Sequence, residues 1–193
     1  MSAPTEPAIP AWVAWLTAYF VVLAAQRLSE LILSARNARR LIARGAREHG
    51  RAHFPLIVAL HALFPLALVG EVLVNGARPG PLAPLWLGLW LAAQALRYAA
   101  MRALGERWNV RVLVLPGAPL ERRGPYRWLR HPNYVAVAIE FLTAPMLFGA
   151  WRTALAFSVA NLAVLRVRIR CEDRALAGAD GSAGRPQSNG VTR

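Results

Sequence analysis

The chain reads as an all-α integral membrane protein of about five transmembrane helices, its amino terminus outside and its working face on the cytoplasmic side. Three observations predict this. Of 193 residues, 56% are hydrophobic while the formal net charge is +13, a pairing that multispan membrane proteins show and soluble single domains rarely do. Five apolar segments approach the ~20 residues that a helix needs to cross a ~30 Å hydrocarbon layer. The cationic residues, finally, alternate from one connection to the next. All 23 are arginine. A nucleic-acid-binding surface would spread lysine and arginine along a polar face, so that class is excluded.

The apolar segments cover residues 12–33, 54–74, 82–101, 134–150 and 153–165. The last is short, but nothing breaks a helix before Gly178, so it continues helically past Arg166, Arg168 and Arg170. Pro55, Pro65, Pro84 and Pro145 fall within or beside these segments, and a membrane bundle tolerates them as kinks. Residues 34–53 carry Arg36, Arg39, Arg40, Arg44, Arg47 and Arg51, whereas 75–81 carry Arg78 alone. The third connection is again rich, from Arg102 to Arg130, and the turn between the last two segments has only Arg152. Cytoplasmic loops retain positive charge, which sets the orientation. Residues 1–177 form one domain, with its signature region at 111–176, and 178–193 read as a disordered tail too poor in apolar residues to bury.

With the segments so oriented, Arg27, Glu30, His61, Gln94, Arg97, Glu140 and Asn161 all fall in the cytoplasmic half. Ionisable groups inside a bilayer are expensive and face a bundle interior, a partner or a wet cavity. Their convergence predicts one cavity opening inward. Glu71, near the outer end, reads as a snorkelling side chain. The lone Cys171 excludes an internal disulfide and reads as a small packed residue.

Two stretches carry chemistry. Residues 124–134 read GPYRWLRHPNY. They are preceded by residues 112–120, of extended or turn character because Pro119 biases Ala118 away from helix. Pro132 suits the first turn of a helix, where a missing amide costs little. His131 and Tyr134 therefore stand at a helix end, where aromatic faces attract a cation by about 0.5–2 kcal/mol. An interfacial aromatic belt with flanking arginines explains the same residues without a ligand. The second stretch, 168–176, places Arg168 and Glu172 four apart on one helix face.

The first stretch has the form G-x-Y-x-x-x-R-H-P-x-Y and the second R-x-x-x-E; in that order they resemble the isoprenylcysteine carboxyl methyltransferase family of membrane enzymes. The resemblance covers about residues 120–176. It implies S-adenosylmethionine as cofactor, with Leu120, Tyr126, His131, Pro132, Asn133, Tyr134 and Glu172 at the cofactor site and Arg168 on the substrate side. Asn133-Tyr134-Val135-Ala136 stands where eukaryotic members usually have Ser-Tyr-x-Gly. This is closer to a bacterial branch associated with type III polyketide synthases, whose implied acceptors are lipid-tailed pyrones or phenols. The partners expected are a lipophilic small molecule and membrane lipid. An acceptor of high pKa needs a base, for which Glu140, His61 and His131 stand as candidates; Arg168 and Glu140 are the expected catalytic residues. Two other functions fit parts of the pattern: an NADPH-dependent sterol-type reductase, which also carries R-H-x-N-Y, and a non-catalytic scaffold with basic loops on anionic lipid.

Overall fold

The computed structural model describes residues 11–183. They form five helices: α1 (Ala11–Ala43), α2 (Phe54–Val74), α3 (Ala83–Leu104), α4 (Pro132–Leu147) and α5 (Trp151–Ala183). Two short strands, β1 (Arg47–His49) and β2 (Val112–Val114), pair antiparallel with Glu48 opposite Leu113. The helical class holds. The ladder is an addition to the all-α expectation, and it joins the α1–α2 loop to the α3–α4 connection at one end of the bundle.

Several boundaries differ from the sequence reading for local reasons. The arginine-rich stretch after residue 33 stays helical to Ala43, since Arg, Ala and Leu favour helix and no breaker intervenes. It stops at Gly45, whose φ of 88° lets Gly45 N–H reach Ile42 O and Ala46 N–H reach Leu41 O, both at 2.9 Å. That crossed pair is a glycine-terminated helix end. The same device closes α4: Gly149 has φ 73°, and Ala150 N–H bonds Pro145 O at 2.9 Å, so residues 148–150 are turn, not helix. A side chain at Gly149 would meet the Arg78 carbonyl, which packs the two arginine-poor turns against each other. Pro55, Pro84 and Pro132 sit in the first turns of α2, α3 and α4, where they start helices and break none. Pro65 and Pro145 lie inside continuous helices.

The bundle is apolar outside, and its arginine-rich half is polar inside. Every helix exposes large aliphatics, among them Val21 and Leu28 on α1, Leu66 on α2, Leu91 on α3, Leu142 on α4 and Val159 on α5. Gln26, Glu30, Gln94, Arg97, Glu140, Asn161 and Arg168 are buried. Apolar side chains outside and polar groups that largely pair with one another inside is the arrangement a bilayer selects. α1 and α2 are long and apolar enough to cross a membrane by length and composition. α4, with 16 residues, rises only ~24 Å. α3 packs on α4, α4 on α5 and α5 on α2. An aromatic cluster of Tyr19, Phe64, Trp90, Phe141 and Phe148 fills the arginine-poor half.

Glu71 departs from its expected role. It does not snorkel; it is buried, and its carboxylate accepts from the Arg152 and Thr153 amides at 3.1 and 2.6 Å. It caps α5, where free N–H groups and the helix dipole favour an anion. At the other end α5 runs on past Gly178 to Ala183, beyond the expected tail start. Val112 and Val114 pack against Ala175, Leu176 and Ala179 and support that extension. The remaining tail residues lie outside the described residues.

Candidate functional site

One face of α5 organises the site. Asn161, Val164, Leu165, Arg168, Glu172 and Leu176 succeed one another at helical spacing and line two adjoining hollows. The lower is an apolar cavity of about 330 Å³, walled by Ile57 and His61 of α2, Leu31 of α1 and Val137 of α4. The upper is a polar cleft between the α3–α4 connection, the start of α4 and α5, with Tyr126, His131 and Glu172 on its lining. Trp108, Asn133, Tyr134 and Arg168 border both. These four form the partition.

The partition is held by hydrogen bonds. Arg168, 7% exposed, donates from Nε to the Tyr134 hydroxyl at 2.8 Å and from a terminal nitrogen to the Val110 carbonyl at 2.5 Å. Its guanidinium carbon stands 5.3 Å from the Tyr134 ring centre, within cation–π range. The Tyr134 hydroxyl in turn donates to Glu172. Arg168 and Glu172 are thus linked through Tyr134 and not as the direct i,i+4 pair their spacing allows.

His131 precedes Pro132 at the start of α4, as the sequence predicts. Its ring stacks on Tyr134 with centroids 5.3 Å apart, and its Nε2 lies 3.1 Å from Asp173 Oδ1, which also holds Arg130. Asn133 Oδ1 is buried without a hydrogen-bond partner, a costly state for an amide oxygen. Tyr126 rides a 3-10 turn, 124–127. Burial, then the Glu172 and Glu121 carboxylates, pushes its phenol far above the usual range, so it stays protonated. The connection before it is laced by Glu121, which accepts from Arg107 at 2.6 Å and from Arg123 at 2.9 and 3.1 Å. The Arg123 bonds hold that carboxyl well below the ordinary range, at about 2.

Two expected site residues stand elsewhere. Leu120 is 49% exposed and does not line the cleft. Its turn is drawn outward, because Glu121 ties the chain to Arg107 and Arg123. Glu140 lies in the bundle, accepting from Arg97, from Arg27 at 2.8 and 3.1 Å and from Gln94 at 2.7 Å. It borders neither the cleft nor the cavity that Arg168 joins. Pro132 is fully buried and acts by fixing the helix start.

Trp108 and Val110 escaped the sequence reading. The Trp108 side chain and the Val110 carbonyl reach the site because the buried Asn37 of α1 donates to the Trp108 and Gly105 carbonyls at 2.8 and 3.2 Å. Ser34 donates to Asn109 Oδ1 at 3.0 Å, fixing the same segment. A tryptophan and an asparagine amid arginines in a polar connection were the available signal.

Comparison with known proteins decides between the readings. The isoprenylcysteine carboxyl methyltransferase (ICMT) family matches residues 86–178, which hold every residue of the partition. The chain belongs to this family. It is also similar to the uncharacterized protein YpbQ of Bacillus subtilis (strain 168), 41% identical over 84% of this chain and 95% of the relative. An uncharacterized protein of Haemophilus influenzae is 30% identical over 81% of this chain and 92% of its own length. No solved structure matches. Family membership makes the protein a membrane methyltransferase, and the matched span ends just after Leu176, the last α5 residue of the cleft.

Proposed function

We propose that this protein transfers a methyl group from S-adenosylmethionine to a carboxylate, enol or phenol oxygen of a lipophilic small molecule, such as a lipid-tailed polyketide pyrone. It does so at the cytoplasmic face of a five-span bundle whose amino terminus is outside, in a bacterial cell membrane. The observation that carries this is the shared partition: a polar cleft and an apolar cavity meet at Arg168 and Tyr134. A reaction between a polar cofactor and an apolar acceptor needs two such compartments with one common wall.

The cleft suits S-adenosylmethionine by its donor set. The Glu172 carboxylate accepts from hydroxyl or ammonium groups, the stacked His131 and Tyr134 rings present faces to a base or a cation, and Asn133 Oδ1 is an acceptor lacking a donor. Tyr126, His131, Asn133, Tyr134 and Glu172 would hold it, with Pro132 fixing the start of the helix that carries Asn133 and Tyr134. When bound, the sulfonium supplies an electrophilic methyl group. Arg168 binds and orients the anionic acceptor oxygen, since its fork is fixed by Tyr134 and Val110. The aliphatic walls of the cavity exclude water from that oxygen. A carboxylate or enolate arrives already ionised and needs no base.

The test is calorimetric titration of the detergent-purified protein with S-adenosylmethionine. Tyr134→Ala and Glu172→Ala each remove a charge-assisted hydrogen bond, about 1.5–3 kcal/mol, or roughly 10–100-fold in affinity. Unchanged affinity in both folded variants would reject this cleft. Transfer from a labelled methyl donor to a panel of lipid-tailed acids, enols and phenols then reads the acceptor class.

A further inference from the structure

The apolar cavity has a polar floor that the methyl-transfer reading does not use. Asn161 is 1% exposed and lines the cavity, yet its Nδ2 has no hydrogen-bond partner. Arg97, 2% exposed and on the same lining, leaves its Nε unpartnered although its terminal nitrogens bind Glu30 and Glu140. His61 borders the cavity as well, with Nδ1 2.8 Å from the Ile57 carbonyl. A carbonyl only accepts, so Nδ1 is the donor, and in the neutral imidazole Nε2 holds a free lone pair. Two donors without a partner and one free acceptor therefore belong to side chains on the lining of this chamber, beside the Arg27–Glu30 pair and among Leu31, Ile57, Val137 and Leu165.

Buried polar groups rarely stay unsatisfied without a reason. The floor lies on the same stripe of α5 as Arg168 but seven residues away, about 10 Å along the axis. At the floor, unlike at Arg168, the charges are matched, Arg27 and Arg97 by Glu30 and Glu140. A hydroxyl is the neutral group that both accepts from an amide and donates to an imidazole.

We propose that Asn161, Arg97 Nε and His61 form a second recognition point that reads a neutral hydroxyl on the acceptor, about 10 Å from the oxygen held at Arg168. This rests on the cavity being the acceptor site of the methyltransferase. The preferred substrate is then a lipophilic chain with oxygen functions at both ends, and Asn161 sets specificity without touching the reacting atoms. An analogue lacking the remote hydroxyl leaves the floor unpaired and is discriminated against.

The experiment compares octanoate with 8-hydroxyoctanoate by calorimetry on the full chain in lipid nanodiscs, with no methyl donor present. The wild type binds the hydroxylated chain about tenfold tighter, the worth of one or two neutral hydrogen bonds. Asn161→Leu keeps octanoate binding, erases that ratio and does not lower the unfolding temperature, since it removes an unsatisfied group. His61→Phe reduces the ratio and decides the matter if Asn161→Leu fails to fold. Equal binding of the pair by the wild type, binding of neither, or a ratio kept in the folded variants overturns the proposal. Failure of the cofactor titration would remove the methyltransferase reading while leaving this ratio unaffected.

Discussion

Arg168 and Glu140 are both buried charged residues of the bundle, and their hydrogen bonds assign them different work. Arg168 spends two nitrogens on Tyr134 and Val110 and borders both compartments. Lysine keeps the charge and loses the fork. Arg168→Lys is expected to leave cofactor affinity within about twofold and to lower turnover by roughly 10–100-fold, the worth of one charge-assisted bond; separate measurements of binding and single-turnover transfer check it. Glu140 is held by two arginines and a glutamine. Removing one member of a buried pair leaves the other charge uncompensated, at about 3–5 kcal/mol. Glu140→Gln is therefore expected to lower stability in detergent by an amount of that order and activity uniformly across acceptors. Unchanged stability with selective loss on high-pKa acceptors would restore it as a base.

At the scale of elements, the α3–α4 connection is the least regular part of the chain and carries much of the cleft. Its order depends on Glu121, whose folded pKa is held at about 2 by Arg123, against an ordinary value of about 4.3. A depressed carboxyl stabilises the fold at pH values above its unfolded pKa. That contribution declines as pH falls from about 4 toward 2. Limited proteolysis between Leu115 and Arg123 is expected to be slow at neutral pH, to accelerate below about pH 4, and to be fast at neutral pH in Glu121→Gln. Rates independent of both pH and substitution would show that the loop is ordered by other contacts. The arginine pattern located this connection, but not its lacing. Pairing of Glu121 with Arg107, fourteen residues back, is not a local feature of the chain.

At the scale of the molecule, the two ends of the bundle differ in charge and construction. One end gathers the arginine-rich loops, the β1–β2 ladder and the cleft; the other joins the arginine-poor turns at Gly149 and Arg78. Positive residues resist translocation, so reporter fusions after Arg51 and after Gly80 are expected on opposite sides, the first cytoplasmic. Both on one side would remove the five-span topology. The short α4 is accommodated by its place between α3 and α5, where neighbours and not lipid satisfy its ends.

The helices, the charge asymmetry of the connections and the ordered pair of motifs were written in the sequence, because periodicity, composition and short-range spacing are local properties. Tyr134, His131 and Glu172, which the fold brings to one cleft, stood out in the sequence as candidates for the same reason: each lies in a motif a dozen residues long or less. Tertiary structure alone decided which polar groups meet. It set Glu140 against Arg97, 43 positions away, turned Leu120 outward, made Glu71 a helix cap, and brought Trp108 to the wall that Arg168 and Tyr134 share. Those outcomes depend on the registers of five packed helices, where one residue of rotation moves a side chain by 100° about the axis of an ideal helix, roughly from cavity to lipid, and no local pattern encodes that register.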